Sequence, residues 1–257
     1  MSRQLARWYE ANGRHALEWR ATRDRWAILV SEVMLHQTQV PRVAAVWPGF
    51  MARFPTPEAM AAATPGEVIT AWDRLGYPRR ARRLWESAVV IAHHGWPDDL
   101  STLPGVGRYT ANAVLAQAED ADLPAIETNV RRVLERVRGE RLAPRAAEAA
   151  MAEVGAPLRG RDRLLALMDV GALCCRPREP RCGECPLARR CATRGPLAGE
   201  SRPRRPRFEG SFRQRRGRVM AVLRAGPAPA ATLDREALAS LAADGLAVVT
   251  RGTAHLP

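Results

Sequence analysis

Four cysteines constrain this chain more than any other feature. Cys175, Cys182, Cys185 and Cys191 are spaced Cys-x6-Cys-x2-Cys-x5-Cys, and only one other cysteine, Cys174, exists in 257 residues. Loops this short let four thiolates turn back on one metal centre, and such a centre fixes backbone that has little apolar surface to bury. The ligand set leaves two readings open, an all-thiolate zinc site or a 4Fe–4S cluster. A disulfide framework is the weaker reading, because the first ten residues, Met-Ser-Arg-Gln-Leu-Ala-Arg-Trp-Tyr-Glu, lack the apolar stretch of a signal peptide. Cys174 reads as a small buried hydrophobe.

The formal charge of +13 and the pI near 11.1 call for a partner. Arginines crowd between Arg202 and Arg218: Arg202, Arg204, Arg205, Arg207, Arg213, Arg215, Arg216 and Arg218. A basic surface of this size suits a polyphosphate such as DNA or RNA, the alternative being a solvated face written in arginine. The chain holds no lysine, so no side-chain amine can form a Schiff base with a sugar aldehyde. No apolar run is long enough to span a bilayer, and a cytosolic protein with a reduced metal site is expected.

Apolar positions at three- and four-residue spacing predict a mostly helical chain punctuated by Pro and Gly. The Pro/Arg-rich segment 195–218 reads as a linker. Beyond it, Val219–Leu223 reads as helix, Thr232 as the N-cap of a second helix through Leu241, and Leu246–Leu256 as a hairpin turning at Arg251-Gly252. Two helices and a hairpin predict a small winged-helix-like module over 219–257.

Between two helical stretches lies Leu103-Pro104-Gly105-Val106-Gly107-Arg108-Tyr109-Thr110. Alternate glycines permit a tight turn that exposes amide N–H groups at the next helix start, where they can hold a phosphate or simply connect two helices. Glu32 sits among Trp26, Ile28, Leu29, Val33 and Leu35, an apolar helix in which desolvation favours a protonated carboxyl.

The helix–LPGVGRYTA–helix unit together with the cysteine spacing resembles the helix-hairpin-helix DNA glycosylases related to endonuclease III. Within that superfamily, Ser31-Glu32-Val33-Met34-Leu35-His36-Gln37-Thr38-Gln39-Val40, Leu75-Gly76-Tyr77, Asn129–Val133 and Met168–Ala172 are similar to the MutY-like adenine glycosylases. The resemblance covers about residues 5–195. It implies a 4Fe–4S cluster on Cys175, Cys182, Cys185 and Cys191. It implies Glu32 as the acid that protonates the leaving base, with Tyr109 and Asn129 among the catalytic residues. It places Gln37 and Tyr77 as wedges into the duplex, Trp19, Arg20, Leu35 and Asp169 around the base, and Gly105, Val106, Gly107 and Arg108 against the phosphate backbone. Tyr109 stands where bifunctional relatives carry a lysine, so strand nicking is not expected. Two positions depart from the pattern. Glu127 replaces the usual Asp, lengthening the second carboxylate by one methylene, and it can equally serve the start of the helix near Thr128. His36 replaces the usual glutamine.

The expectation is therefore an all-α, two-lobed glycosylase with a cluster loop. One lobe spans 24–127; the other joins 1–23 to 128–194, with DNA across the cleft between them. The expected partner is double-stranded DNA with a mismatched or damaged pair, bound by a monomer at the bacterial nucleoid. The expected reaction removes adenine opposite 8-oxoguanine or guanine. Excision of thymine, uracil or hypoxanthine, and lesion binding without catalysis, are the alternatives, because some sixty residues after the cluster cannot hold the Nudix-like domain usual in MutY-like enzymes.

Overall fold

The computed structural model describes residues 3–200 and 207–257. Arg202, Arg204 and Arg205 of the basic stretch lie outside them. In chain order the helices are α1 (Gln4–Asn12), α2 (Arg25–Leu35), α3 (Val40–Arg53), α4 (Pro57–Ala61), α5 (Pro65–Ala71), α6 (Arg79–His94), α7 (Arg108–Glu119), α8 (Thr128–Arg138), α9 (Pro144–Gly155), α10 (Gly160–Asp169), α11 (Phe212–Ala225) and α12 (Arg235–Ala243). The strands β1 (Ala228–Pro229), β2 (Val248–Thr250) and β3 (Thr253–His255) form an antiparallel sheet in the order β1-β3-β2. The expected helical fold is thus observed, with one small sheet near the C-terminal end. No helix among the described residues is long and apolar enough to cross a membrane.

Local chemistry sets the helix ends. Thr64 and Glu67 form a reciprocal capping box at α5. Asp24 Oδ1 accepts from Ala27 N at 2.7 Å at the start of α2. Gly139 closes α8 in the left-handed conformation that glycine adopts without a Cβ penalty.

The chain divides into two compact units, Met1–Glu32 with Val106–Pro203 and Val33–Gly105 with Arg204–Pro257. This partition departs from the expected lobes, since 24–32 and 106–127 fall with the cluster loop. The reason is packing. The small residues Ala113 and Ala116 of α7 are fully buried in a core with Val130 and Leu134 of α8, Met151 of α9 and Leu164 of α10, and α7 lies directly against α10. In the second unit, the T-shaped Phe50–Trp72 pair, 5.8 Å between centroids, marks the core.

The C-terminal module holds the expected two helices and hairpin, with two corrections. Helix α11 starts at Phe212, so the second part of the expected linker is helical. Ser211 caps it, and Arg216 reaches Asp244 at 2.6 Å while Arg215 pairs with Asp234 and Glu236. Arginine is a good helix former, and partners on and beside α12 hold these turns. The N-cap of α12 is Asp234, whose Oδ1 accepts from Ala237 N at 2.9 Å; Thr232 instead lies in a short 3₁₀ turn and bonds Pro229 O. The module seats on its own unit through Gly66 N–H, which donates to Pro257 O at 2.7 Å, and the Arg79–Asp244 pair.

Candidate active site and cysteine loop

Glu32 occupies the buried face of α2 and is only 5% exposed. Two donors from α7 converge on it. Tyr109 Oη donates to Oε2 at 2.9 Å, and Gln117 Nε2 donates to Oε1 at 2.7 Å. The donors stand eight residues apart, just over two turns, and therefore share a helix face. Burial pushes the Glu32 carboxyl above its ordinary value, and the charge of Glu127 pushes the same way, against the two donors and Arg20. Tyr109 is held protonated, well above the ordinary tyrosine range, by burial and by both carboxylates. The outcome is a carboxyl whose protonated form burial favours, oriented by a phenol that stays a donor.

Glu127 is the N-cap of α8. Its Oε2 accepts from Asn129 N at 2.7 Å and Asn129 Nδ2 at 2.9 Å, and its Oε1 accepts from Val130 N at 2.8 Å. Burial raises this carboxyl too, opposed by those hydrogen bonds and by Arg132. Asn129 Oδ1 in turn accepts from Arg132 Nη2 at 2.8 Å. The same guanidinium donates to Gly171 O and to Cys175 O, each at 2.8 Å. A continuous polar chain therefore runs from the second carboxylate to the backbone of the first cysteine of the loop.

Arg20 and Asp169, expected beside the base, pair with each other. Asp169 is fully buried and accepts bidentately from Arg20 at 2.6 and 2.9 Å, and from Arg14 Nε at 2.6 Å. Burial alone would raise its carboxyl, yet the bonds and charge of Arg20 and Arg14 hold it below the usual range. Trp19 is buried at 3% exposure. Leu35 is half-buried in the last turn of α2.

In the glycine turn, Gly105 has φ of +78°, and a Cβ there would meet Arg83 Cβ at 2.7 Å, so both conformation and space require glycine. Gly107 caps α7 without a side chain, leaving first-turn N–H groups unfilled by a capping side chain. The Val106 side chain is buried, so the expected phosphate contact at this position falls to its backbone. Arg108 is exposed and pairs with Glu148 at 2.9 Å. Gln37 and Tyr77 are both exposed, and both have positive φ, +57° and +50°.

The segment Val170–Cys174 is a single turn of π-helix that continues α10 into the cysteine loop. Cys175, Cys182, Cys185 and Cys191 line one cavity with Val133, Val170 and Leu187. Among the described residues no three His, Cys, Asp or Glu converge as a single bound ion would require. Burial pushes the Cys185 thiol up to about 12, so without a metal it is a neutral thiol. Arg136 tethers the loop by donating to Arg176 O at 2.7 Å and pairing with Glu200 at 2.9 Å. Cys174 is buried, as expected.

Gln117, Arg132 and Arg14 were not legible as site residues. For Gln117 a signal existed: an amide inside the alanine-rich run Ala113–Ala118 on the Tyr109 face.

Residues 30–157 match the model of the HhH-GPD superfamily base excision DNA repair protein. An adenine DNA glycosylase of Mycolicibacterium smegmatis is 45% identical over 240 residues, spanning 88% of this chain and 81% of that protein. The chain belongs to the HhH-GPD superfamily of base excision DNA repair proteins. A second member, an adenine DNA glycosylase of Mycobacterium tuberculosis H37Rv, is 45% identical over 96% of this chain and 89% of its own length. Among solved structures, a thermostable thymine-DNA glycosylase is similar with a TM-score of 0.65 and 27% identity, over 74% of this chain and 92% of that one. The expected resemblance to MutY-like members of the superfamily holds.

Proposed function

We propose that this protein is a monofunctional DNA glycosylase that hydrolyses the N-glycosidic bond of an adenine mispaired with guanine or 8-oxoguanine. The observation that carries the reading is the buried Glu32, its carboxyl raised by desolvation and held by Tyr109 and Gln117, with the Glu127 carboxylate close enough to shift it. The relatives named adenine DNA glycosylase choose the base.

In this reaction Glu32 gives its proton to a ring nitrogen of the extruded base, and the electron pair of the glycosidic bond leaves with that base. The sugar becomes an oxocarbenium ion, whose positive charge the Glu127 carboxylate offsets. Glu32, now ionised, takes a proton from the attacking water as its oxygen bonds to C1′, which restores the acid. The products are free base and an abasic site. With no lysine in the chain and a phenol at Tyr109, no side-chain amine is present to open the sugar, so the strand stays intact.

Cys175, Cys182, Cys185 and Cys191 line one shared cavity, and four thiols around one cavity fit the 4Fe–4S cluster that the family resemblance implies. Bound there, the cluster would supply structural crosslinking, presenting Arg176, Arg178 and Arg181 to phosphates. The purified protein is expected to be brown with about four irons per chain, measured by metal analysis and visible absorption; stoichiometric zinc without iron would overturn the assignment.

The test of function is a panel of duplexes carrying A, T, U or hypoxanthine opposite G and 8-oxoguanine. Strand breakage is expected only after alkali, and fastest for adenine. The thymine reading, supported by the similarity to the thymine-DNA glycosylase, wins if T opposite G is the faster substrate. Tight binding without release of any base would leave only the lesion-binding reading.

A further inference from the structure

One half-buried guanidinium lies under both expected duplex wedges. Arg80, in the first turn of α6, donates through Nη1 to Val33 O at 2.8 Å, Met34 O at 2.9 Å and His36 O at 2.6 Å. Through Nη2 it donates to Thr38 Oγ1 at 3.0 Å, Leu75 O at 3.2 Å and Gly76 O at 2.9 Å. The first group of acceptors is the open end of α2 and the residue preceding Gln37. The second contains Thr38, directly after Gln37, and the two residues directly before Tyr77. Thr38 Oγ1 also donates to Leu75 O at 3.3 Å, tying the two loops to each other.

The chemistry explains why this position takes arginine. The carbonyls at a helix C-terminus lack intrahelical partners and carry the negative end of the helix dipole. A flat fork with two terminal nitrogens can face two separate loops at once, whereas an ammonium is a single point. No carboxylate pairs with Arg80 among the described residues, and every hydrogen-bond acceptor is neutral. Burial lowers its pKa to about 10, which still leaves it charged at neutral pH. The same guanidinium lies 5.5 Å from the Tyr77 ring centroid and 5.3 Å from that of Trp72.

Both wedges need such support. Gln37 and Tyr77 hold left-handed backbone conformations that are unfavourable for residues with a Cβ, and they persist only where the surroundings over-determine them. Both side chains are solvent-exposed, so their own packing cannot supply that restraint. Arg80 bonds to the backbone carbonyl before Gln37, to the Thr38 hydroxyl after it, and to the two backbone carbonyls immediately before Tyr77.

We propose that Arg80 is a positioning residue that locks the Gln37 and Tyr77 loops into one preformed wedge, so that base extrusion from the duplex depends on it while bond cleavage does not. The proposal rests on the glycosylase reading above. In it Arg80 touches neither base nor sugar; it acts through the two loops.

The test uses the full chain and the variants Arg80→Lys and Arg80→Met. Single-turnover excision is measured on a mispaired duplex and on the same adenine in single-stranded DNA, where no base need be displaced. Arg80→Lys is expected to lose on the order of a hundredfold on the duplex, the scale on which about 1 Å of misplacement acts, and far less on the single strand. In parallel, 2-aminopurine at the target position should brighten on wild-type binding and stay dark with the variant. A variant that loses rate equally on both substrates, or on neither, overturns the proposal. Should Arg80→Met fail to fold, cooperative melting of Arg80→Lys keeps the comparison valid. Failure of the wild type to release adenine from either substrate would instead overturn the glycosylase reading, and the wedge role with it.

Discussion

Glu32→Gln is expected to reduce single-turnover base excision by roughly 10²- to 10⁴-fold, the range removed with a general acid, while making the fold more stable at neutral pH. Both effects have one source. Glu32 is buried and its carboxyl sits above its ordinary pKa, chiefly through desolvation. Between the unfolded and folded pKa values the native state binds more protons than the unfolded chain, so stability falls as pH rises through that window. Below the unfolded value the two states are equally protonated and nothing is lost. A neutral amide of similar size removes that penalty, and Gln117, whose amide can turn to offer either its N–H or its oxygen, can still meet it. Activity in the wild type should fall as pH rises through the Glu32 pKa, because the ionised form has no proton to give. The residual activity of the variant should lose that limb of the profile. Rate against pH, with thermal melting of both proteins at pH 5 and pH 8, checks it. Equal pH profiles, or a variant that melts lower at pH 8, would remove Glu32 as the acid.

Much of this site was readable because its signals are local. The cysteine spacing acts within one loop, Gly105 is demanded by its own φ and by Arg83, and Glu32 lies on a helix whose neighbours are visibly apolar. What escaped the sequence depends on elements meeting in space. Arginine is so abundant here that no single one stands out, yet Arg132, Arg136 and Arg80 are buried or half-buried and organise three separate backbone junctions. Their selection is geometric: each finds several carbonyls within reach of one fork. The compact units divide the chain differently from the expected lobes for a related reason. Placing α7 with the glycine turn treats chain neighbours as packing neighbours, whereas Ala113 and Ala116 are small enough to draw α7 against α10. At the C-terminal module, Thr232 and Asp234 are both good caps two residues apart, and only the bond to Ala237 N distinguishes them.

Glu127 makes a prediction that separates carboxylate position from side-chain length. One added methylene would suggest a displaced carboxylate and a large rate penalty if the side chain extended freely. It does not extend. The carboxylate folds back onto Asn129 N and Val130 N, the second and third N–H groups of α8, which is where a shorter aspartate N-cap would also bond. The helix terminus therefore fixes the carboxylate, and the extra methylene is taken up in the bend. Glu127→Asp is accordingly expected to keep excision within about tenfold of wild type, or about 1.4 kcal/mol in barrier. Glu127→Gln, which removes the charge facing the oxocarbenium ion, is expected to lose about 10²- to 10³-fold, as loss of a preorganised electrostatic partner does. Glu127→Ala should lose at least as much and also melt lower, since it forfeits a cap worth about 1 kcal/mol. Single-turnover rates and melting curves for the three variants distinguish the roles. If Glu127→Asp falls as far as Glu127→Gln, the cap does not set the carboxylate position; if Glu127→Gln keeps full rate, Glu127 serves the helix alone.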